Sequence, residues 1–237
     1  MDRSAGSGAR SGVSARARVD VHRVPRAHRG QGRPRGPAHS LRGPSRTRHE
    51  RPPPGLRLHV EEHADAVAAA LDAAGATGAE LIGHSMGGAV AVVLAHRRPG
   101  LVSRLVLTEA NLDAFPPVTA ASSEIASYEE DEFVERGYAR VLDAVGPLWA
   151  ATMRLADPRA LHRSAVGLRR GSDPVMRTLL EESPVDRVFL QGAHSGELPG
   201  REALESAGVR VVTVPAAGHN IMFDNPDAFA AVVVGIC

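Results

Sequence analysis

From about Leu56 onward, apolar positions recur with two distinct periods, and the residues before it show neither. Residues 63–75 form a run of strong helix formers that stops at Gly75, which predicts a helix. The short apolar stretch Glu80-Leu81-Ile82 predicts a strand, residues 86–96 a helix, and residues 104–108 a second buried strand. Mainly helical spacing follows over about 111–184, including 131–144, 148–155 and 175–180, divided by proline and glycine. Residues 187–191 and 209–214 predict two more strands, with a helix at 201–207 between them and a last helix at 226–234. Strands that alternate with helices imply an α/β fold, with a parallel sheet flanked by helices and a helical insertion.

Residues 1–55 are built from Arg, Gly, Pro, Ser and His and predict no folded element. Charge divides at the same place. The whole chain of 237 residues carries a formal charge of +1, yet residues 1–50 hold 12 arginines against Asp2, Asp20 and Glu50, which leaves the remainder net acidic. The overall balance points to neither nucleic acid nor an acidic substrate. The arginine-rich start lacks interleaved aromatics, and its composition is that of a GC-rich gene read out of frame or from an incorrect start, so it is expected to be disordered or non-native. Lysine is absent and Cys237 is the single cysteine, so no internal disulfide forms. No apolar stretch approaches the roughly 20 residues that span a bilayer, and a soluble cytoplasmic protein is the expectation.

The candidate chemistry centres on Gly83-His84-Ser85-Met86-Gly87, between a predicted strand and a predicted helix. A serine hydroxyl is a weak nucleophile that needs a base, a group to orient the base, and donors for a developing oxyanion. A sharp turn at Ser85 projects its hydroxyl outward, and Gly83 and Gly87 remove side chains that would collide around it. The N–H of Met86, at the helix start, points toward an oxyanion. Gly-x-Ser-x-Gly alone is weak evidence in a chain with 24 glycines. The flanking elements strengthen it, as does Gly218-His219 after the last strand, where a loop histidine reaches back as general base.

With Gly-His-Ser-Met-Gly-Gly followed by Ala-Gly-His-Asn and Asn-Pro-Asp-Ala-Phe, residues 56–237 resemble the α/β-hydrolase superfamily. The resemblance implies an α/β-hydrolase-type sheet, partial here, with a helical lid over about 112–184, Ser85 as nucleophile and His219 as base. Many members carry the acid three residues beyond a glycine after the next-to-last strand, where this chain has Ser195, which cannot hold an imidazolium by charge. Glu109 is the better candidate, because Leu-Val-Leu-Thr-Glu-Ala-Asn matches a subgroup whose acid follows the strand after the nucleophile; Glu197 is the alternative. The resemblance also implies several strands before Ser85 and a His-Gly loop that gives a second oxyanion donor. The sequence has no His-Gly pair, and loss of one donor costs about 10²- to 10³-fold in turnover.

The implied reaction is hydrolysis of a carboxylic ester or related small acyl substrate through an acyl-enzyme, with no metal and no organic cofactor. A dehalogenase is disfavoured, because that branch needs a carboxylate where Ser85 stands. Two other readings remain open: an inactive, truncated relative with a binding role, and an arginine-rich nucleic-acid binder with a hydrolase remnant. His59-Val-Glu-Glu-His63 fits a zinc-peptidase spacing, but no third ligand follows by spacing, and a solvated helix face is the simpler reading. His84 is expected to line the pocket or support the turn, and His194 to be a loop residue. Met86, Leu148, Trp149, Met153 and Leu155 are candidates for an apolar acyl site. The sequence does not indicate an oligomeric state.

Overall fold

The computed structural model describes residues 18–20, 57–113 and 124–234. Its centre is a parallel sheet in chain order, β1-β2-β3-β4-β5, formed by Arg18–Asp20, Ala79–His84, Val102–Thr108, Asp186–Gly192 and Arg210–Val214. The last four are the strands that the hydrophobic pattern predicts. The first lies in the segment for which the pattern predicts no element. It pairs in parallel with Glu80–Ile82, so that side of β2 is covered for three residues.

Strands β2, β3 and β4 are apolar in successive residues because both faces of the sheet are covered there. One face sends Leu81, Leu105, Leu107 and Phe189 into the main core. There they meet α1 (Val60–Ala73), α2 (Met86–Arg97) and a helix over Met176–Glu182. The alternate positions, Val106, Val188, Leu190 and Val214, pack under Ile221 and Val232 of the two C-terminal helices, Ile221–Asp224 and Pro226–Val233. Full burial of each such side chain contributes roughly 1.5–3 kcal/mol. Every residue of α2 from Gly87 to Ala95 is buried, so this helix is apolar on all sides. Its solvent end is fixed by ion pairs of Arg97 with Asp65 and of Arg98, the next residue, with Asp72.

Between β3 and β4 the chain is helical, as expected, and forms a small apolar cluster of its own around Ile125, Phe133, Val141 and Ala165. We number its helices α3 (130–144), α4 (Gly146–Met153), α5 (Pro158–Arg170) and α6 (Met176–Glu182). The predicted helix at 131–144 is interrupted by a π-helical turn, Phe133–Gly137. The longest uninterrupted helix of the region, α5, is absent from the predicted elements; its four arginines, His162 and Ser164 interrupt the apolar positions. It closes against the chain before α1 at Gly167, where a Cβ would strike the backbone of Leu58 and His59. After β4 come α7 (Arg201–Ser206), α8 (Ile221–Asp224) and α9 (Pro226–Val233). No helix among the described residues is long and apolar enough to cross a membrane.

Glu130 ties α3 to α5. It accepts hydrogen bonds from Arg163 and Arg159, which hold its carboxyl at about 2, well below the ordinary value. A lowered native value stabilises the fold above the unfolded carboxyl's pKa, and that contribution disappears as pH falls through the native value. Glu130→Gln is expected to cost on the order of 1 kcal/mol at pH 7. Denaturation midpoints measured from pH 7 down toward 2 should converge for the two proteins below about pH 4.5; a difference unchanged at the acid end would refute the ion-pair origin.

Candidate active site

Parallel register brings four successive strand ends to one edge of the sheet, and the predicted site residues stand there in order. Ser85 follows β2, Glu109 follows β3, Gly192 ends β4, and His219 lies in the loop after β5. The sheet's hydrogen bonding continues past the strand ends, since Ser85 donates its N–H to the Thr108 carbonyl and Glu109 donates its own to Leu190, both at 3.0 Å.

Ser85 has φ 52° and ψ −121°, a conformation that L side chains rarely adopt. Two close approaches impose it. A Cβ on Gly83 would lie 2.7 Å from the Gly87 carbonyl and from Gly88 Cα, and one on Gly88 would overlap the Ala110 side chain. The absence of a side chain at Gly83 lets the turn close against the start of α2. Gly87 contributes its carbonyl to that approach, and Gly88, which the sequence reading passed over, lets α2 sit against the segment after β3. The Gly-Gly doublet was the available signal. As the first residue of α2, Met86 has an N–H with no intrahelical acceptor.

Glu109 also has positive φ, at 49°. One of its oxygens, Oε1, accepts the Gly192 N–H at 2.6 Å, and the other, Oε2, faces His219 Nδ1 at 3.5 Å. That is ion-pair distance, longer than a formed hydrogen bond. Anchoring one oxygen leaves the second directed at the imidazole. Gly192 has a further purpose, because a Cβ there would strike the carbonyls of Ala217 and Gly218, so its bareness lets the His219 loop close on the sheet. The sequence marked it only as the strand-end glycine three residues before Ser195.

The loop itself is fixed from several sides. Gly218 donates its N–H to Asp224, Asn225 donates its side-chain amide to the Pro215 carbonyl, and His194 donates its backbone N–H to the Ala217 carbonyl. His84, almost fully buried, donates Nε2–H to the His219 carbonyl at 2.8 Å. It thus supports the loop that carries His219. Its ring also stacks on Trp149 of α4 at 5.9 Å, and Trp149 meets Phe223 edge-on at 6.3 Å. Of the expected apolar residues, Trp149 reaches the site, whereas Leu148 and Leu155 are exposed and Met153 packs in the cluster of the helical segment.

Glu197, the alternative acid, is exposed and makes no ion pair with His219. The zinc-type spacing separates as well. His63 Nε2 bonds Ser164 Oγ, and burial pushes its imidazole pKa down, while His59 caps the start of α1 with Glu62 reaching back to its N–H at 2.7 Å. Both serve the packing of α1.

Residues 34–162 match the family model of the alpha/beta hydrolase fold. The chain is 27% identical over 169 residues to a 2-succinyl-6-hydroxy-2,4-cyclohexadiene-1-carboxylate synthase of Serratia proteamaculans, spanning 64% of that protein. To a pimeloyl-[acyl-carrier protein] methyl ester esterase of Neisseria meningitidis it is 30% identical over 193 residues, with 73% of each covered. Among solved structures, an esterase of Exiguobacterium antarcticum superposes with a TM-score of 0.61 at 21% identity, covering 77% of this chain and 75% of that one. A thermophilic esterase of Thermogutta terrifontis gives 0.58 at 19%, covering 76% and 72%.

If these close approaches hold the site together, an added methyl group must push it apart. Gly88→Ala and Gly192→Ala are each expected to destabilise the protein by about 1–3 kcal/mol. Chemical denaturation measures this, and stability equal to the parent would show that the neighbouring backbone yields freely.

Proposed function

We propose, for a chain that belongs to the α/β-hydrolase family and is at that level a hydrolase, that it cleaves a carboxylic ester or related small acyl substrate through an acyl-enzyme on Ser85. Ser85 Oγ attacks the acyl carbon while its proton passes to His219. Glu109 offsets the charge of the resulting imidazolium and holds the ring in place. The Met86 N–H and the positive end of α2 receive the oxyanion. His219 then returns the proton to the departing alkoxide, and the acyl group remains on Ser85. Water, deprotonated by the same histidine, releases the acid and restores the serine. Neither a metal nor an organic cofactor enters these steps.

The observation that carries this reading is the two-point hold on Glu109, with one oxygen on the Gly192 N–H and the other facing His219 Nδ1 beside a strained serine turn. A carboxylate with a merely structural role would not need to leave its second oxygen against a loop histidine. The esterase and synthase relatives support acyl chemistry. The Trp149 ring stacked on His84, with Phe223 edge-on against Trp149, favours a substrate with an apolar portion, over which the helical segment after β3 serves as lid.

A fluorophosphonate probe should label the folded protein at Ser85, and p-nitrophenyl butyrate should be hydrolysed. Ser85→Ala should abolish both, and Glu109→Gln should lower kcat by about 10³-fold. Folded protein that takes up no probe, or takes it up equally as Ser85→Ala, would overturn the mechanism in favour of a binding protein.

A further inference from the structure

Asn111 is fully buried two residues beyond the proposed acid, and its side chain lies against the nucleophile. Ser85 Oγ donates to Asn111 Oδ1 at 3.3 Å, and Asn111 Nδ2 has no hydrogen-bond partner. A buried amide donor without an acceptor is unfavourable. The surrounding backbone offers no slack to relieve it. Asn111 donates its own N–H to the Ser85 carbonyl, the Leu112 carbonyl accepts the N–H of Arg177, and the Arg177 guanidinium grips Asp113 at 2.8 and 2.6 Å.

The two ends of a carboxamide have nearly the same shape, so half a turn of the amide exchanges Nδ2 with Oδ1 without repacking. Nδ2 then stands at hydrogen-bond distance from Ser85 Oγ, and the lone donor acquires an acceptor. The serine proton, no longer committed to Asn111, becomes free to point at His219. The atom left over is a carbonyl oxygen, which tolerates a missing partner better than an amide N–H does.

Resting on the reading of Ser85 as nucleophile, we propose that Asn111 is a further catalytic residue, whose Nδ2–H donates to Ser85 Oγ in the reacting enzyme. The bond strengthens as Oγ gives its proton to His219 and gains negative charge, and weakens once Oγ is part of the ester. It strengthens again when Oγ departs from the acyl group as an alkoxide. The donor therefore stabilises charge in the transition states of both half-reactions more than in the ground state, which is the condition for raising kcat.

Asn111→Asp separates the two orientations. An ionised carboxylate accepts the serine proton as Oδ1 does but offers no donor, so kcat on p-nitrophenyl butyrate should fall about 10- to 100-fold with KM within about twofold, and fluorophosphonate labelling should slow in parallel. Wild-type kcat in Asn111→Asp would overturn the proposal. If the buried carboxylate prevents folding, Asn111→Ala takes its place, with a loss of about 10-fold expected and no loss counting against the proposal. A readout that needs no turnover keeps this inference separable from the hydrolase reading. In ¹⁵N-labelled protein, the side-chain NH₂ signals that vanish in Asn111→Ala should move in Ser85→Ala. Signals that stay in place refute the contact, even if the parent protein hydrolyses esters; an unlabelled parent whose signals do move overturns the hydrolase reading alone.

Discussion

The site depends on how closely the first turn of α2 lies against the strand that precedes it. A parallel strand followed by a helix must reverse direction, and here it does so at Ser85, with the cost of positive φ placed on a residue other than glycine. The surroundings make the strain sustainable. Gly83 and Gly88 carry no side chain where backbone meets backbone and where α2 meets Ala110, and the Ser85 carbonyl accepts from Gly88, Ala89 and Asn111 together. Bulk at either glycine moves the turn, and moving the turn moves the hydroxyl.

Sheet register then distributes the other groups. Because all the strands run the same way, their C-terminal ends share one edge, and residues far apart in the chain become neighbours there. The opposite edge shows what the same register does where no chemistry is involved. Glu80, Arg104 and Asp186 face one another across β2, β3 and β4 and form a row of ion pairs at 3.1 and 2.9 Å. One end of the sheet satisfies its buried charge internally. At the other end, one Glu109 oxygen faces His219 and the Asn111 side-chain oxygen accepts from Ser85, so buried polar groups are turned toward the two side chains proposed to react.

Much of this was legible before any coordinates. Strands β2 to β5 carry short apolar runs bounded by polar residues and turns, and α2 is apolar enough to be a core helix on sight. The sharp turn around Ser85 was readable because glycine on both sides of one serine has a steric reason. What escaped is equally physical. Arg159, Arg163 and His162 of α5 make ion pairs and a hydrogen bond to the Tyr128 carbonyl, so polar residues interrupt a narrow apolar stripe of Leu161, Ala165 and Leu168. Gly88, Gly192 and Asn111 escaped for a different reason. Each matters through contact with a residue from another loop, and single-chain periodicity has no term for such contacts.

The place of the proposed acid follows from the same geometry. As the proposed base, His219 needs a carboxylate beside Nδ1 at one point in space, not at one point in the sequence. Thr108 and Leu190 are register partners, so the residues just beyond β3 and β4 emerge side by side. The loop after β4 carries Ser195, and the carboxylate arrives instead from Glu109 on the neighbouring strand, with its positive φ turning the side chain across. The β4 end contributes what remains useful there, a backbone N–H from Gly192 that holds the visiting carboxylate. Exchange of an acid for an amide between adjacent strand ends leaves sheet, register and chain order untouched. It also explains why Glu197, on the loop where the family pattern would look for it, can remain exposed to solvent.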